Sequence, residues 1–255
     1  MDEGLSPRGL EPRRPPTEQA GGSRSDTTID TTHQGLVMQV LSTEHFSLLS
    51  QRSLVYNEAF TRVGMLLTFV SMSLVALALL SGALPTSSDL TAIASIVLGF
   101  DLVVGLATVI RVRNAYQEDF IAVQAMNRVR RGYAELAPEA MPYISMGTYD
   151  DLASVVVSYG ASIAPSSVVA GLSYGLSTSI GLAMLVVALL AGAFVAVVGL
   201  AIGVSGLAAL AAGAAATLVT IGALAWLGYR AQIRNQANAV VRFPQPRSEG
   251  PARPG

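Results

Sequence analysis

The sequence predicts an all-α integral membrane protein with four transmembrane helices in two hairpins and amphipathic cytoplasmic helices beside them. Three observations carry this. Apolar stretches long enough to cross a bilayer recur along the chain. Hydrophobic residues make up 51% of the 255 residues and charged residues only 13%, about half the usual charged share. All 16 basic residues are arginine, and they fall on one side of the apolar stretches.

Crossing about 30 Å of hydrocarbon takes about 20 helical residues. Val63 to Leu84 is the first such stretch and Thr91 to Ile110 the second. A third block runs from Ser177 to Tyr229 without a charge. At ~1.5 Å per residue it is too long for one span and suits two. Gly199, Gly203, Ser205 and Gly206 mark the break, because glycine weakens a helix. The spans are therefore about 63–84, 91–110, 177–198 and 204–229.

The arginines set the orientation. They lie before the first span, between the second and third, and after the fourth; the connections 85–90 and 199–206 carry none. Only an even number of spans puts every arginine in the cytoplasm, with both termini there. Pro85 and the Ser87-Ser88-Asp89 run form an outer turn with cap residues for the second helix. Trp226 and Tyr229, just before Arg230, read as an interfacial aromatic anchor. The first span follows charged, proline-rich sequence and not a short basic leader, so it reads as a retained anchor.

The chain divides into a disordered N-terminal tail (1–41), an amphipathic leading helix with the first hairpin (42–110), a cytoplasmic helical segment (111–176), the second hairpin (177–229) and a cytoplasmic tail (230–255). Residues 1–35 and the tail from Phe243 onward are rich in proline, glycine and polar residues. Such segments bury too little apolar surface to fold alone. The leading helix, 43–62, is capped by Ser42 or Thr43. It carries Phe46, Leu49, Ser53, Tyr56, Phe60 and Val63 at spacings of three and four, with Glu44, Gln51, Arg52 and Glu58 off the stripe. The second span continues as a cytoplasmic helix to Leu136, with Val112, Tyr116, Phe120, Val123, Met126, Val129 and Tyr133 on one face, and Pro138 limits it. Asp150-Asp151 heads a short helix from Leu152 to Tyr159. The leading helix either lies along the inner leaflet or packs on the middle segment; the simplest packing sets Phe46, Tyr56 and Phe60 against Tyr116, Phe120 and Tyr133, within one chain or between subunits.

Composition excludes several chemistries. Without lysine there is no Walker A loop and no Schiff-base lysine. Without cysteine there is no disulfide, thiolate nucleophile or iron–sulfur cluster. His33 and His45 are the two histidines, too few for a histidine-rich metal site. The net charge of −1 offers no broad field for nucleic acid. No catalytic, cofactor or metal site assembles from these residues, so the expectation is a non-enzyme without cofactor.

Asp101 is the one ionisable residue inside a span. A carboxylate there costs ~2.5–3.5 kcal/mol on insertion scales, so it needs protonation, a partner or water. It lies on a small-residue line with Ala94, Val97, Gly105 and Thr108, and the first span offers Gly64, Thr68, Ser71, Val75, Ala78 and Gly82. In an antiparallel hairpin the midpoints meet near Ser71 and Ser73. Asp101, Ser71, Ser73 and Thr68 thus form a candidate intramembrane polar site. It is either a structural hydrogen bond, the favoured reading, or a proton or cation site. Tyr116, Phe120 and Tyr133 form a candidate association face. Ala188, Gly192 and Ala196 in the third span, and Ala208, Ala212 and Ala216 in the fourth, repeat every four residues as close-packing faces do. Arg128, Arg130 and Arg131 read as an ion-paired solvated face with Glu135, and Asp150-Asp151 as a helix cap.

Asn57-Glu58-Ala59-Phe60 with Arg62 and Gly64, then Met126-Asn127-Arg128-Val129-Arg130 with Tyr133 and Glu135-Leu136-Ala137-Pro138-Glu139, then Asp150-Asp151, together resemble a family of uncharacterised four-span integral membrane proteins from high-GC bacteria, chiefly actinobacteria. The resemblance covers roughly residues 43–230. It implies four spans and a bacterial plasma (inner) membrane, and brings no functional residues. The partners expected are the lipid bilayer and, at the cytoplasmic face, a second copy or another protein, with no nucleic acid.

Overall fold

A computed structural model describes residues 22–84, 86–159, 178–238 and 240–246. Residues 1–21, Pro85, the stretch 160–177, Ala239 and the tail beyond 246 lie outside the described residues. The fold is all-α. Four long helices are apolar and long enough to cross a membrane, and they pack as two antiparallel hairpins.

Helix α1 runs from Gly22 to Ala83, 62 residues. The chain has no proline between Pro16 and Pro85, so nothing interrupts it. It therefore begins well before Ser42, where the sequence places a cap. Thr43 is mid-helix, its hydroxyl donating to the Gln39 carbonyl at 2.9 Å. Leu41 packs with Leu48, Met126, Val129 and Tyr133, which helps fix the extra turns.

Helix α2 spans Ser87–Leu136 and runs unbroken from the membrane into the polar region, as its periodicity predicts. Thr86 is its N-cap: its oxygen accepts from the Asp89 amide, and its hydroxyl donates to the Asp89 carboxylate. The cap thus sits one residue before the predicted Ser87-Ser88-Asp89 run. A 3-10 turn at Pro138–Tyr143 follows. Helix α3, Leu152–Ser158, is capped by Asp151, whose carboxylate accepts from the Ser154 amide at 2.8 Å.

Helices α4, Ser179–Ala201, and α5, Gly206–Asn238, form the second hairpin. The predicted break is a turn at Ile202–Ser205, where Gly203 has φ +87°, a left-handed conformation that glycine adopts without a side-chain clash. Near the other end of α5 the Arg230 guanidinium lies 4.1 Å from the Trp226 ring centre.

Helix α2 is the hub, packing against both α1 and α4. Ala59, Val63, Val109, Val112, Ala115, Ala183 and Val187 form the core where the three meet. Glycine sets two approaches. A Cβ on Gly105 would lie 2.7 Å from Val187, and one on Gly192 2.6 Å from the Gly213 carbonyl. Gly192 is on the predicted close-packing line of α4. On α5 the inward line is Ala209 and Gly213, both buried, with half-buried Thr217, one residue beyond the predicted Ala208, Ala212 and Ala216. Alanine is so frequent in α5 that small-residue spacing alone fits several registers.

The face of α1 also departs from prediction. Its buried residues Leu48, Ala59, Val63 and Leu66 face α2, with Arg52 and Val55 between. Phe46 and Phe60 are each 65% exposed, so within the chain they do not pack on Tyr116, Phe120 and Tyr133 as one of the two predicted arrangements required, whereas Tyr56 is half-buried and bonds to Asp119 of α2. The apolar stripe was misplaced because it omitted Arg52, a charged residue that the fold turns inward.

Candidate functional site

Within the spans, Asp101 is fully buried. Ser73 donates to its Oδ1 at 3.0 Å, and Oδ2 has no hydrogen-bond partner. The other two predicted members do not join them. The Ser71 hydroxyl donates to the Leu67 carbonyl at 2.7 Å and the Thr68 hydroxyl to the Gly64 carbonyl at 3.0 Å. Both lie on the outer face of α1, in a shallow groove with Leu67, Met72, Val75 and Leu79. Ser71 and Ser73 are about 200° apart around a helix, at ~100° per residue, so only one can face α2. Leu66, buried two turns below on the same face, selects Ser73.

Beyond the spans, at the arginine-bearing end, lies a layered polar assembly. At the apolar border, Arg111 grips Glu58 through two bonds, 2.9 and 2.6 Å, and donates to Glu118 at 2.9 Å. Arg62 adds a bond to Glu58 at 2.8 Å. The bonds from Arg111 and then Arg62 hold the Glu58 carboxyl down to about 2 and, in return, Glu58 and Glu118 raise the Arg111 pKa.

One layer further, Asp119 is 2% exposed and ties three elements together. It accepts from Arg52 at 2.6 Å and Tyr56 at 3.2 Å on α1, and from Tyr159 at 2.6 Å just after α3. Burial pushes the Tyr159 phenol up, and its bond to Asp119 pushes it further. It therefore stays a protonated donor. Burial and the Asp119 charge raise Tyr56 in the same sense. Burial alone would lower Arg52, but the bond to Asp119 prevails and raises it.

The deepest layer surrounds Asn127, which is fully buried. Its amide donates to the Tyr149 carbonyl at 2.9 Å, and its oxygen accepts from Ser158 at 2.9 Å and Arg130 at 2.7 Å. Gln124 donates to the Asp150 carbonyl at 2.8 Å. The three neighbouring arginines take different roles. Arg131 pairs with Glu135 at 2.7 Å on the surface, as predicted. Arg130 is buried and donates to Asn127 and the Met146 sulfur. Arg128 turns to Asp150 at 2.7 Å. Asp151 is the predicted helix cap, while Asp150 is occupied by Arg128 and by the segment 240–246. Residues 243–246, read from sequence as unstructured, are thereby held against the body.

The predicted association residues serve the chain's own packing. Tyr116 packs on the three-helix core, Tyr133 on the Leu48–Met126–Val129 cluster, and Phe120 is half-buried. Exposed apolar residues on the same stretch of α1 include Leu36, Val40, Phe46, Leu49, Leu54 and Phe60. His45 packs near Tyr133, 6.2 Å between ring centres. Burial and the Arg130 charge lower its pKa. Among the described residues no three histidine or acidic side chains are grouped to hold a metal ion.

Sequence reasoning missed the Arg52–Asp119–Tyr159 group. Its signal was present: Asp119 falls three residues after Tyr116 and four before Val123, on the buried face of α2. No family model, curated protein or solved structure matches the chain.

Proposed function

We propose that this chain is a multi-pass protein of a bacterial plasma membrane, with both termini in the cytoplasm, that acts without enzymatic chemistry as an association module. The observation that supports this reading is the row of exposed apolar side chains on the polar-end extension of α1. Phe46 is 65%, Leu49 48% and Leu54 70% exposed, in a part of the helix that the arginine distribution puts outside the bilayer. Lipid does not cover them there, and exposed apolar patches of this kind mark contacts with another surface. The partner is a second copy or another cytoplasmic-face protein, and the polar layers beneath hold the helix rigid enough to present the patch.

The test is association of the full chain in liposomes, counted by single-molecule photobleaching and by cross-linking in native membranes. Phe46→Glu and Leu49→Glu should abolish association with the thermal melt unchanged, since both side chains are exposed. Unchanged association in both variants sinks the reading.

A second reading has one observation in its favour: Asp101 carries a buried, unpartnered carboxyl oxygen at mid-span, where ionisable groups are costly and often mark ion or proton paths. Proton and monovalent-cation flux in proteoliposomes, wild type beside Asp101→Asn, decides it. Flux that disappears in an equally folded variant establishes a transport site; no flux in either leaves Asp101 a structural bond.

A further inference from the structure

After α5 the chain does not simply leave the molecule. Residues 240–246 run back across the turn that precedes α3. Arg242 and Phe243 donate their amides to the two oxygens of Asp150, at 2.9 and 2.8 Å. The Asp150 amide donates to the Phe243 carbonyl at 3.2 Å. Gln245 donates its amide to Asp151 at 3.0 Å, and Arg128 donates to the Val240 carbonyl at 2.6 Å. Asp150 is fully buried beneath this strap.

Each of these bonds ends on a main-chain atom of the strap. Its side chains are all exposed, so no apolar anchor holds it. The chain bends at Arg242 and Phe243, which turns both amides toward the one carboxylate, and the Asp150 amide returns a bond to the Phe243 carbonyl. Pro244 and Pro246 have no amide to satisfy and restrict the backbone on either side of Gln245, which lowers the entropy lost on docking. Arg128 serves both partners, neutralising Asp150 and fixing the strap's first carbonyl.

We propose that Arg128, Asp150 and Asp151 form a clamp for a bent, proline-flanked peptide backbone, and that residues 240–246 are its resident strap, releasable and replaceable by a segment of the same kind. The clamp reads main-chain geometry, so its ligand is defined by two successive free amides presented at a bend. This is independent of the association reading above: the clamp uses none of the exposed α1 side chains.

The test has two arms, both on the full chain. Hydrogen exchange should show the Arg242, Phe243 and Gln245 amides protected in the wild type. Phe243→Pro removes one donor at an exposed position, and the Arg242 and Gln245 amides should then exchange at least tenfold faster. Asp150→Asn should have the same effect. In the second arm a labelled, end-blocked Val-Val-Arg-Phe-Pro-Gln-Pro peptide is titrated by fluorescence anisotropy. It should bind the Phe243→Pro protein at least tenfold more tightly than the wild type, whose clamp is filled. The same peptide carrying Phe243→Pro should not bind. Unprotected strap amides in the wild type overturn the proposal. So does equal peptide binding, or none, to wild type and Phe243→Pro, because the clamp would then not exchange its occupant.

Discussion

Arg52 and Asp119, 67 residues apart in sequence, meet at 2.6 Å across the α1–α2 interface, the aspartate 2% and the arginine 19% exposed. The pair stands between the apolar core and the Asn127 layer, and two tyrosine hydroxyls complete the aspartate's partners. Removing one member leaves the other's charge without its counter-ion in a largely buried place, which costs up to about 3–5 kcal/mol. Asp119→Ala should therefore strongly destabilise the fold, and Arg52→Met nearly as much. The double variant Arg52→Met/Asp119→Leu should recover most of the loss. Denaturant titration in detergent, with polar-end helix content as readout, measures the three.

Ser73 and Ser71 differ by two positions and should differ sharply in effect. Ser73→Ala removes the one donor to Asp101 and should destabilise by about 0.6–2 kcal/mol, the range for hydrogen bonds between membrane helices. Ser71→Ala and Thr68→Ala lose only a bond to their own helix and should stay within about 0.5 kcal/mol. Unfolding in bicelles gives the comparison, and equal losses at Ser71 and Ser73 would contradict the assigned face.

The glycines divide in the same way. Gly192→Ala and Gly213→Ala would each drive a Cβ to within 3 Å of a facing backbone carbonyl, at 2.6 and 2.7 Å. Backbone cannot swing aside, so each should cost about 1–3 kcal/mol. Gly64→Ala and Gly222→Ala meet nothing within 4 Å and gain helix propensity, up to about 1 kcal/mol. Melting temperatures in detergent should fall for the first pair and hold or rise for the second.

Acid should loosen the apolar border through Glu58. Its carboxyl lies at about 2 in the fold against an ordinary value of 4.5. A lowered folded pKa adds stability above the unfolded value and loses it as pH falls through the folded one. Stability should therefore decline between pH 4.5 and about 2, and Glu58→Gln should flatten that part of the profile. The side chain is solvent-facing, so added salt should shrink the effect.

Four spans, the turn near Gly203, the unbroken run of α2 to Leu136 and the cap before α3 were all legible in the sequence. Each follows from a local rule: apolar length, glycine and proline placement, or a carboxylate before a helix. The arrangement of arginines also requires an even number of spans, and Arg128 touching the Val240 carbonyl puts the ends of α2 and α5 on one side, as that requires.

Which face of each helix packs was decided by tertiary structure. In a span nearly every residue is apolar or small, so periodicity does not separate the lipid-facing side from the helix-facing side. This is why Ser71 and Ala212 appeared equivalent to Ser73 and Gly213. At the polar end the difficulty is reversed. Arg52, Asp119, Asn127 and Asp150 look like solvated surface until their partners, brought from distant parts of the chain, satisfy them. Burial of a charge depends on what it meets, and no local pattern carries that. The sequence by itself determined a four-helix membrane protein with a polar end; only the fold determined that this end is held by buried charges and closed by the chain's own C-terminal strap.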